Sequence, residues 1–156
     1  MRRTALIYPV TAALTVAADY LVKRFIENNF PFHEPVELLP FLAVFRTHNT
    51  GIAFSMFASL DEGWLVAIPA LIVVFVAYLA YRTEAHQWVS RLGFALIIGG
   101  AIGNLVDRAA LGYVVDYVLF HVGDWSFAIF NLADACITVG AGLVLLQELI
   151  DWRRAK

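Results

Sequence analysis

Charged side chains are scarce in this sequence of 156 residues. Asp, Glu, Lys and Arg account for 15% of the chain, whereas 61% of its residues are hydrophobic. A soluble domain usually carries roughly 25% charged and about 45–50% apolar residues. The composition therefore argues against an ordinary soluble core, and the net charge of −2 provides no basic surface for binding nucleic acid.

Several chemically informative patterns are also absent. The single cysteine, Cys136, cannot form an internal disulfide. The four histidines lack a metal-ligand spacing such as H-E-x-x-H. There is no Gly-rich phosphate loop, and no serine has a partner that the sequence identifies as a catalytic base. We therefore expect a protein that uses no metal and no cofactor.

What the sequence does contain is four long apolar stretches, each close to the ~20 residues that a helix needs to cross the hydrocarbon. They lie at about residues 4–25, 64–81, 89–106 and 127–149. A cleavable signal peptide is the alternative for the first stretch, but three more stretches follow it. Gly99 and Gly103 have the small-xxx-small spacing of closely packed membrane helices. The predicted fold is an all-α integral membrane protein with four transmembrane helices in one domain, residues 1–156.

Basic residues near the ends of these stretches predict how the chain crosses the membrane, because cytoplasmic loops carry an excess of Lys and Arg. The residues concerned are Arg2, Arg3, Arg82, Arg91, Arg153, Arg154 and Lys156. Both termini should therefore be cytoplasmic, with segments 26–63 and 107–126 on the outer side. Strand-type residues between 41 and 57 indicate a small β-containing subdomain there, whereas the prolines within 30–40 predict irregular structure.

Polar residues within the apolar stretches are energetically costly, and each is therefore a candidate for function. Asp19 and Lys23 lie four residues apart on one helical face and could form an ion pair, or Lys23 could extend to the interface. Asn104, Asp107 and Arg108 share a face at the outer end of the third stretch. Asn104 and Arg108 could hold a carboxylate or a peptide carbonyl, or Asp107 and Arg108 could simply mark the aqueous boundary. The sequence leaves these alternatives open.

Asp116 and Asp134 are the candidates for catalysis. Asp134 lies about two turns into the fourth apolar stretch and shares a face with Asn131. Asp116 lies in a short apolar segment, 113–120, which returns to the membrane from the same side. Two neighbouring carboxylates cannot both ionise easily and therefore share a proton. One could then act as general base on a water molecule and the other as general acid, which cleaves a peptide bond without a metal.

Five segments of the sequence, in order, resemble the sequence boxes of the lipoprotein signal peptidase (signal peptidase II) family. They are D-x-x-x-K at 19–23, N-x-G-x-[AS]-F at 49–54, G-x-x-G-N-x-x-D-R at 100–108, V-V-D-[FY] at 114–117 and F-N-x-A-D-x-x-I at 130–137. Each box alone is weak evidence, but the ordered set covers nearly the whole chain and is highly specific. Ile52 departs modestly from the pattern, since the family often has Ala there.

The resemblance implies an aspartyl endopeptidase that removes the signal peptide from diacylglyceryl-modified prolipoproteins, cutting N-terminal to the lipidated cysteine. It implies Asp116 and Asp134 as the catalytic pair. It assigns substrate-binding positions to Asn49, Gly51, Asn104, Arg108 and Asn131, and supporting positions to Asp19, Lys23 and Asp107.

The resemblance also implies a location and a set of partners. The enzyme is expected in the bacterial inner membrane, with its active site toward the periplasmic face. Lipid-modified prolipoproteins and membrane lipid would be its partners, the peptide antibiotic globomycin would inhibit it, and we expect a monomer. Two other classes make different predictions. A small transporter would spread its polar groups through the membrane depth, whereas here they cluster at one end of the spans. A non-catalytic assembly factor would tolerate Asp116→Asn.

Overall fold

The computed structural model describes residues 7–51, 62–123 and 125–156. Residues Arg2 and Arg3, the start of the first predicted span and positions 52–61 of the predicted outer segment lie outside the described residues. Four helices are present in the described part: α1 (Ile7–Asn29), α2 (Glu62–Arg82), α3 (Trp88–Leu111) and α4 (Leu132–Arg154).

Three of the described helices are long and apolar enough to cross a membrane, namely α2 from Gly63 onward, α3 and α4. Helix α1 is not among them, although its 23 residues give it the required length. Its second half carries charged side chains: Asp19, Lys23, Arg24 and Glu27. The prediction of a mainly helical membrane protein is therefore confirmed, with three rather than four helices meeting the criterion for a span.

A four-stranded antiparallel sheet lies beside the helices. Its strands are β1 (Pro35–Leu39), β2 (Leu42–Asn49), β3 (Val114–Val122) and β4 (Trp125–Ser126), in the order β1-β2-β3-β4. This sheet confirms the predicted small β-containing subdomain. It draws on both predicted outer segments, because β1 and β2 come from the first and β3 and β4 from the second.

Two local predictions were wrong. The proline-rich segment 30–40 is not wholly irregular, since β1 begins at Pro35 on the edge of the sheet, where the missing N–H of proline is tolerated. The fourth apolar stretch does not become helical at 127; α4 begins at Leu132 and ends at Arg154. Asp134 consequently lies in the first turn of α4 and not two turns into a helix.

Helix α3 is the central helix, packing against α1, α2 and α4. Its glycines have no side chains, so the neighbouring helices can approach the α3 backbone closely. A Cβ on Gly99 or Gly103 would lie 2.7 Å from Thr15 or Asp19 of α1, and one on Gly100 would lie 2.5 Å from the carbonyl oxygen of Ala133 in α4. The close packing predicted for Gly99 and Gly103 is therefore confirmed, and the partner helix is α1.

Helix α3 ends at a tight turn that leads directly into β3. Gly112 caps the helix in the left-handed conformation, with φ of 80°, and its N–H donates to the carbonyl oxygen of Arg108 at 3.0 Å. Glycine adopts this conformation at little cost. The turn brings Asp116 on β3 back beside the last turns of α3, which carry Asn104 and Arg108.

A small apolar core holds the sheet against α1. Ile26 of α1, Val44 of β2 and Tyr117 of β3 are buried together. Val22 and Phe30 pack around them. The outer end of α1 and the strand that bears Asp116 therefore form one packed unit.

Candidate active site

Asp134 helps to start the helix to which it belongs. Asn131 is the N-cap of α4: its Oδ1 accepts a hydrogen bond from Asp134 N at 2.9 Å, and Asp134 Oδ2 accepts one from Asn131 N at 3.2 Å. This reciprocal arrangement is a capping box, which satisfies backbone donors that a helix start leaves free. The backbone therefore fixes one oxygen of the Asp134 carboxylate.

Two further side chains hold the same helix start. Leu132 N donates to Tyr117 Oη at 3.1 Å, and Ala133 N donates to Asp19 Oδ1 at 3.0 Å. The first three backbone donors within α4 are thus satisfied by β3, by α1 and by the N-cap. These bonds join three elements at the point where Asp134 lies.

Asp116 is buried on β3, with 2% of its surface exposed. Its Oδ1 accepts from Asn131 Nδ2 at 2.6 Å, and its Oδ2 accepts from Asn49 Nδ2 at 2.9 Å. Asn49 is available because the antiparallel register of β2 and β3 places it opposite Val114, two residues before Asp116. Both oxygens of the carboxyl group are therefore engaged by side-chain amides.

Two asparagines connect the acids. Asn131 Nδ2 contacts both Asp116 Oδ1 and Asn104 Oδ1, the latter at 3.2 Å. Asn104 Nδ2 in turn donates to Asp134 Oδ1 at 2.8 Å. The structure therefore brings together all four of these residues, which come from β3, α3 and the start of α4. The two aspartates lie on one continuous hydrogen-bond network.

Burial dominates the acidity of Asp116. Loss of solvent, reinforced by the negative charge of Asp134, raises the pKa of Asp116 from its ordinary value to about 6. The hydrogen bonds from Asn49 and Asn131 and the charge of Lys23 act in the opposite direction. Asp116 thus retains a proton to a much higher pH than an exposed aspartate does.

Arg108 holds the turn that follows β2. Its Nη2 donates to the carbonyl oxygen of Gly51 at 2.9 Å, and its Nη1 donates to that of Asn104 at 3.3 Å. Gly51 N in turn donates to Asn49 Oδ1 at 3.0 Å, which leaves Asn49 Nδ2 directed to Asp116. Arg108 Nε is buried and has no hydrogen-bond partner among the described residues. Arg108 therefore orients Asn49 through the turn at Gly51.

Lys23 is the centre of a second buried polar cluster. Its Nζ lies 2.7 Å from Asp19 Oδ2 and 2.8 Å from Asp107 Oδ2, and it donates to Asn104 Oδ1 at 2.9 Å. These contacts decide between the alternatives that the sequence left open for Lys23 and for Asp107. Lys23 is ion-paired and does not extend to the interface, and Asp107 is buried and paired, so it does not mark an aqueous boundary.

A cavity of about 640 Å³ opens onto the two acids. Its polar wall contains both aspartates together with Asn49, Asn104 and Arg108. The rest of the wall is mostly apolar and is supplied by α2, α3, β3, the segment before α4 and α4 itself. Its residues are Pro69, Ile72, Ala101, Val114, Phe127, Ile129, Phe130, Ala135, Ile137, Thr138 and Val139. A second cavity, of about 450 Å³ between α1 and α3, touches Asp19 and Asp107 but neither Asp116 nor Asp134. The larger cavity is therefore the candidate substrate site.

Comparison with known proteins decides the family. Residues 11–150 match the family model described as signal peptidase (SPase) II. The chain belongs to the signal peptidase II family. This is a family of membrane aspartic peptidases, so the chain is an enzyme of that class.

Similar proteins agree over nearly the full length. The chain is 57% identical to a lipoprotein signal peptidase of Mesorhizobium japonicum over 147 residues, which cover 94% of the chain and 88% of that protein. It is 54% identical to a lipoprotein signal peptidase of Brucella ovis, with coverages of 92% and 89%. A solved bacterial membrane enzyme resembles the fold with a TM-score of 0.81 at 26% identity, over 100% of the chain and 93% of that structure. A second has a TM-score of 0.78.

Sequence reasoning identified most of the residues in the network but missed two features. Tyr117 was not recognised as a partner of α4, because nothing in the sequence indicates its bond to Leu132 N. The double role of Asn131, as N-cap and as the amide between the acids, was also missed. The N-x-x-D spacing of Asn131 and Asp134 is a sequence signal for a helix start and could have revealed the first role.

Proposed function

We propose that this enzyme removes the signal peptide from diacylglyceryl-modified prolipoproteins, cutting N-terminal to the lipidated cysteine, with a water molecule activated between Asp116 and Asp134. One observation carries the proposal: two carboxyl groups linked through Asn131 and Asn104 face a single, mostly apolar cavity. The names of the relatives, all lipoprotein signal peptidases, support the substrate class.

The proposed reaction needs one proton shared by the pair. We assign this proton to Asp116. Burial and the charge of Asp134 raise the pKa of Asp116 to about 6, and a bound substrate that excludes further water would raise it more. Asp134 accepts a proton from water as the oxygen attacks the scissile carbonyl, and Asp116 donates its proton to the carbonyl oxygen. Collapse of the tetrahedral intermediate returns a proton to Asp116 and delivers one from Asp134 to the leaving nitrogen.

The remaining polar residues would hold the substrate backbone. Arg108, Asn49 and Asn104 line the cavity, whereas Asn131 is fully buried behind it and donates to Asp116. Gly51 contributes the turn to which Arg108 is bound. The apolar wall suits acyl chains and small side chains, which are the distinguishing features of a lipid-modified substrate.

The proposal includes a definite membrane arrangement. Helix α1 serves as a fourth span, with Asp19 and Lys23 of its outer half buried against α3 and the start of α4, and residues 1–156 form one domain. Both termini lie in the cytoplasm, and the sheet and the dyad lie toward the periplasmic face of the inner membrane. Cleavage near the periplasmic face would let a monomer act while the acyl chains of the substrate stay in the membrane. Extracting those chains into water would cost about 0.8 kcal/mol per CH₂ group.

Cleavage of a diacylglyceryl-modified prolipoprotein by the purified enzyme in detergent tests the dyad. Asp116→Asn and Asp134→Asn should each reduce the rate by at least about 10³-fold, because each removes a proton donor or acceptor used in the reaction. Asp151→Asn, an acid at the other end of α4, is the matched control and should remain active. Near-normal cleavage by either dyad variant in a folded state would refute the mechanism.

Two additives, globomycin and EDTA, test the proposed function in the same cleavage assay. Globomycin should compete with the substrate for the cavity, and complete insensitivity would count against the assignment. EDTA should leave the rate unchanged, because neither the sequence patterns nor the proposed steps call for a metal. Loss of activity in EDTA that zinc restores would contradict the proposal.

A further inference from the structure

Lys23 touches neither acid directly, yet each of its three oxygen partners makes a hydrogen bond at or beside the dyad. The lysine is buried in α1, with 2% of its surface exposed. Its Nζ contacts Asp19, Asp107 and Asn104 at 2.7–2.9 Å. An ammonium group has three donors, and each of these is therefore matched to one oxygen acceptor.

The first partner fixes the orientation of an amide. Asn104 Oδ1 accepts from Lys23 Nζ, so Asn104 Nδ2 faces Asp134 Oδ1 at 2.8 Å. If the amide were reversed, its NH₂ would face the ammonium and its oxygen would face a carboxylate, and both contacts would be repulsive. Lys23 thus ensures that Asn104 presents a donor to Asp134.

The other two partners hold backbone groups adjacent to the acids. Asp19 Oδ1 accepts from Ala133 N, the residue before Asp134, at 3.0 Å. Asp107 Oδ2 is 3.5 Å from Val115 N, the residue before Asp116. Helix α3 approaches closely enough for this arrangement because position 103 is glycine, where a Cβ would lie 2.7 Å from Asp19 Oδ2. Through Asp19 and Asp107, Lys23 is therefore linked to the backbone N–H groups that directly precede Asp134 and Asp116.

We propose that Lys23 is a positioning residue that sets the relative placement of Asp116 and Asp134 and the donor orientation of Asn104. This inference rests on the proposed function and deepens it. Lys23 does not line the substrate cavity, so its contribution is to the rate of the chemical step and not to substrate binding. The lysine, Asp19, Asp107 and Asn104 are called the Lys23 cluster below.

Lys23→Met is the direct test, because it removes the ammonium and keeps most of the apolar stem. Arg24→Met is the matched control: it removes a cation one residue away that is ion-paired to Glu27 on the exposed side of α1. Misplacement of catalytic groups by about 1 Å can cost about 10²-fold. We expect Lys23→Met to lower kcat by roughly 10- to 100-fold with KM changed less than about twofold, and Arg24→Met to alter neither.

The pH profile distinguishes the two roles, because loss of a lysine with a purely structural role would not shift the alkaline limb of kcat/KM. The charge of Lys23 lowers the pKa of Asp116, so its removal should raise that pKa and move the alkaline limb of kcat/KM to higher pH. The charged or titratable groups around Asp116 are Asp134 of α4, Arg108 and Asp107 of α3, Asp19 and Lys23 of α1 and Tyr117 of β3. Of these, the experiment changes only Lys23.

A second variant covers the case in which Lys23→Met does not fold. Removing one partner of a buried ion pair is strongly destabilising, whereas removing both charges is tolerated far better. Lys23→Met combined with Asp107→Asn leaves the net charge of the Lys23 cluster unchanged. This double variant should fold, retain substrate affinity and show the same fall in kcat.

The outcomes separate the two proposals. An inactive Asp116→Asn enzyme together with a lysine variant of normal kcat and unshifted pH limb would overturn the positioning role and leave the proposed function standing. A variant whose KM rises while kcat is normal would overturn it equally, since Lys23 would then act on binding. An equal loss in Arg24→Met would show a general effect of charge on α1 and would also overturn it. An active Asp116→Asn enzyme would instead refute the proposed function.

Discussion

At the scale of single residues, side-chain amides control the chemistry of the site. Asp116 receives both of its hydrogen bonds from Asn49 and Asn131, and Asp134 receives one from Asn104. An amide donates without carrying charge, so it can hold a carboxyl group in place without the strong preference for ionisation that an adjacent cation imposes. This arrangement suits the proposed dyad, in which the two acids keep one proton between them.

Asn49→Leu should move the pH profile in a direction that the structure defines. The hydrogen bond from Asn49 lowers the pKa of Asp116, which lies at about 6, so its loss raises that pKa and the shared proton is retained to higher pH. The alkaline limb of kcat/KM should therefore shift upward. Because a hydrogen bond to a charged group contributes about 1.5–3 kcal/mol, the ratio of kcat/KM well above the limb to that on the plateau below it should rise by roughly tenfold or more.

The control for this prediction is Asn29→Leu, which changes an exposed asparagine that donates to the carbonyl oxygen of Phe25 within α1. Its pH profile should match that of the unmodified enzyme. A limb that stays in place in Asn49→Leu, or moves to lower pH, would contradict the role given to Asn49.

At the scale of secondary-structure elements, α3 determines how closely the dyad elements can meet. Gly100 permits contact with α4 beside Asp134, and Gly93 and Gly140 permit a reciprocal contact between the same helices farther from the site. Small residues allow membrane helices to pack closely where hydrophobic burial gives no net driving force. The spacing of the acids thus depends on the absence of side chains at the helix crossing.

Gly100→Ala should impair both stability and catalysis. Its Cβ would lie 2.5 Å from the Ala133 carbonyl oxygen and 2.9 Å from Ile137 Cγ1, so α4 must move away from α3. Overpacking of this kind costs about 1–3 kcal/mol, and the displaced helix start carries Asp134. A lower Tm with a kcat reduced by at least about tenfold is expected in thermal unfolding and cleavage assays.

Gly142→Ala is the matched control, since a Cβ at that position of α4 meets nothing within 4 Å. Alanine there should be neutral or slightly stabilising, because it favours the helical conformation. If Gly100→Ala and Gly142→Ala behave alike, close approach at Gly100 does not govern the site.

At the scale of the whole molecule, the sheet and the dyad lie at one end of the helices. Asp116, the turn at Gly51 and the starts of α2 and α4 share that end, whereas Arg82 and the C-terminal Arg153 and Arg154 lie at the other. The basic end is expected in the cytoplasm. The proposed topology then puts the end that carries Asp116 and Asp134 at the periplasmic side, where the lipidated part of the proposed substrate would arrive.

Cysteine labelling in intact cells tests this orientation. In a Cys136→Ala background, Glu37→Cys on β1 should react with a membrane-impermeant maleimide added outside an outer-membrane-permeabilised cell. Lys156→Cys should react only after the inner membrane has also been opened. Labelling of Lys156→Cys in sealed cells would place the C-terminus outside and contradict the proposed topology.

The sequence by itself predicted the three apolar spans of α2, α3 and α4 and the two candidate acids from composition and local spacing, and the family resemblance added polar residues around them such as Asn49. It did not determine that β3 carries Asp116, that α4 begins only at Leu132, or that Tyr117 and Asp19 hold its first turn. Those features arise from contacts between segments far apart in the chain. Only the tertiary structure decided which amide faces which carboxyl group, since the orientation of Asn104 and Asn131 is set by partners contributed by other elements.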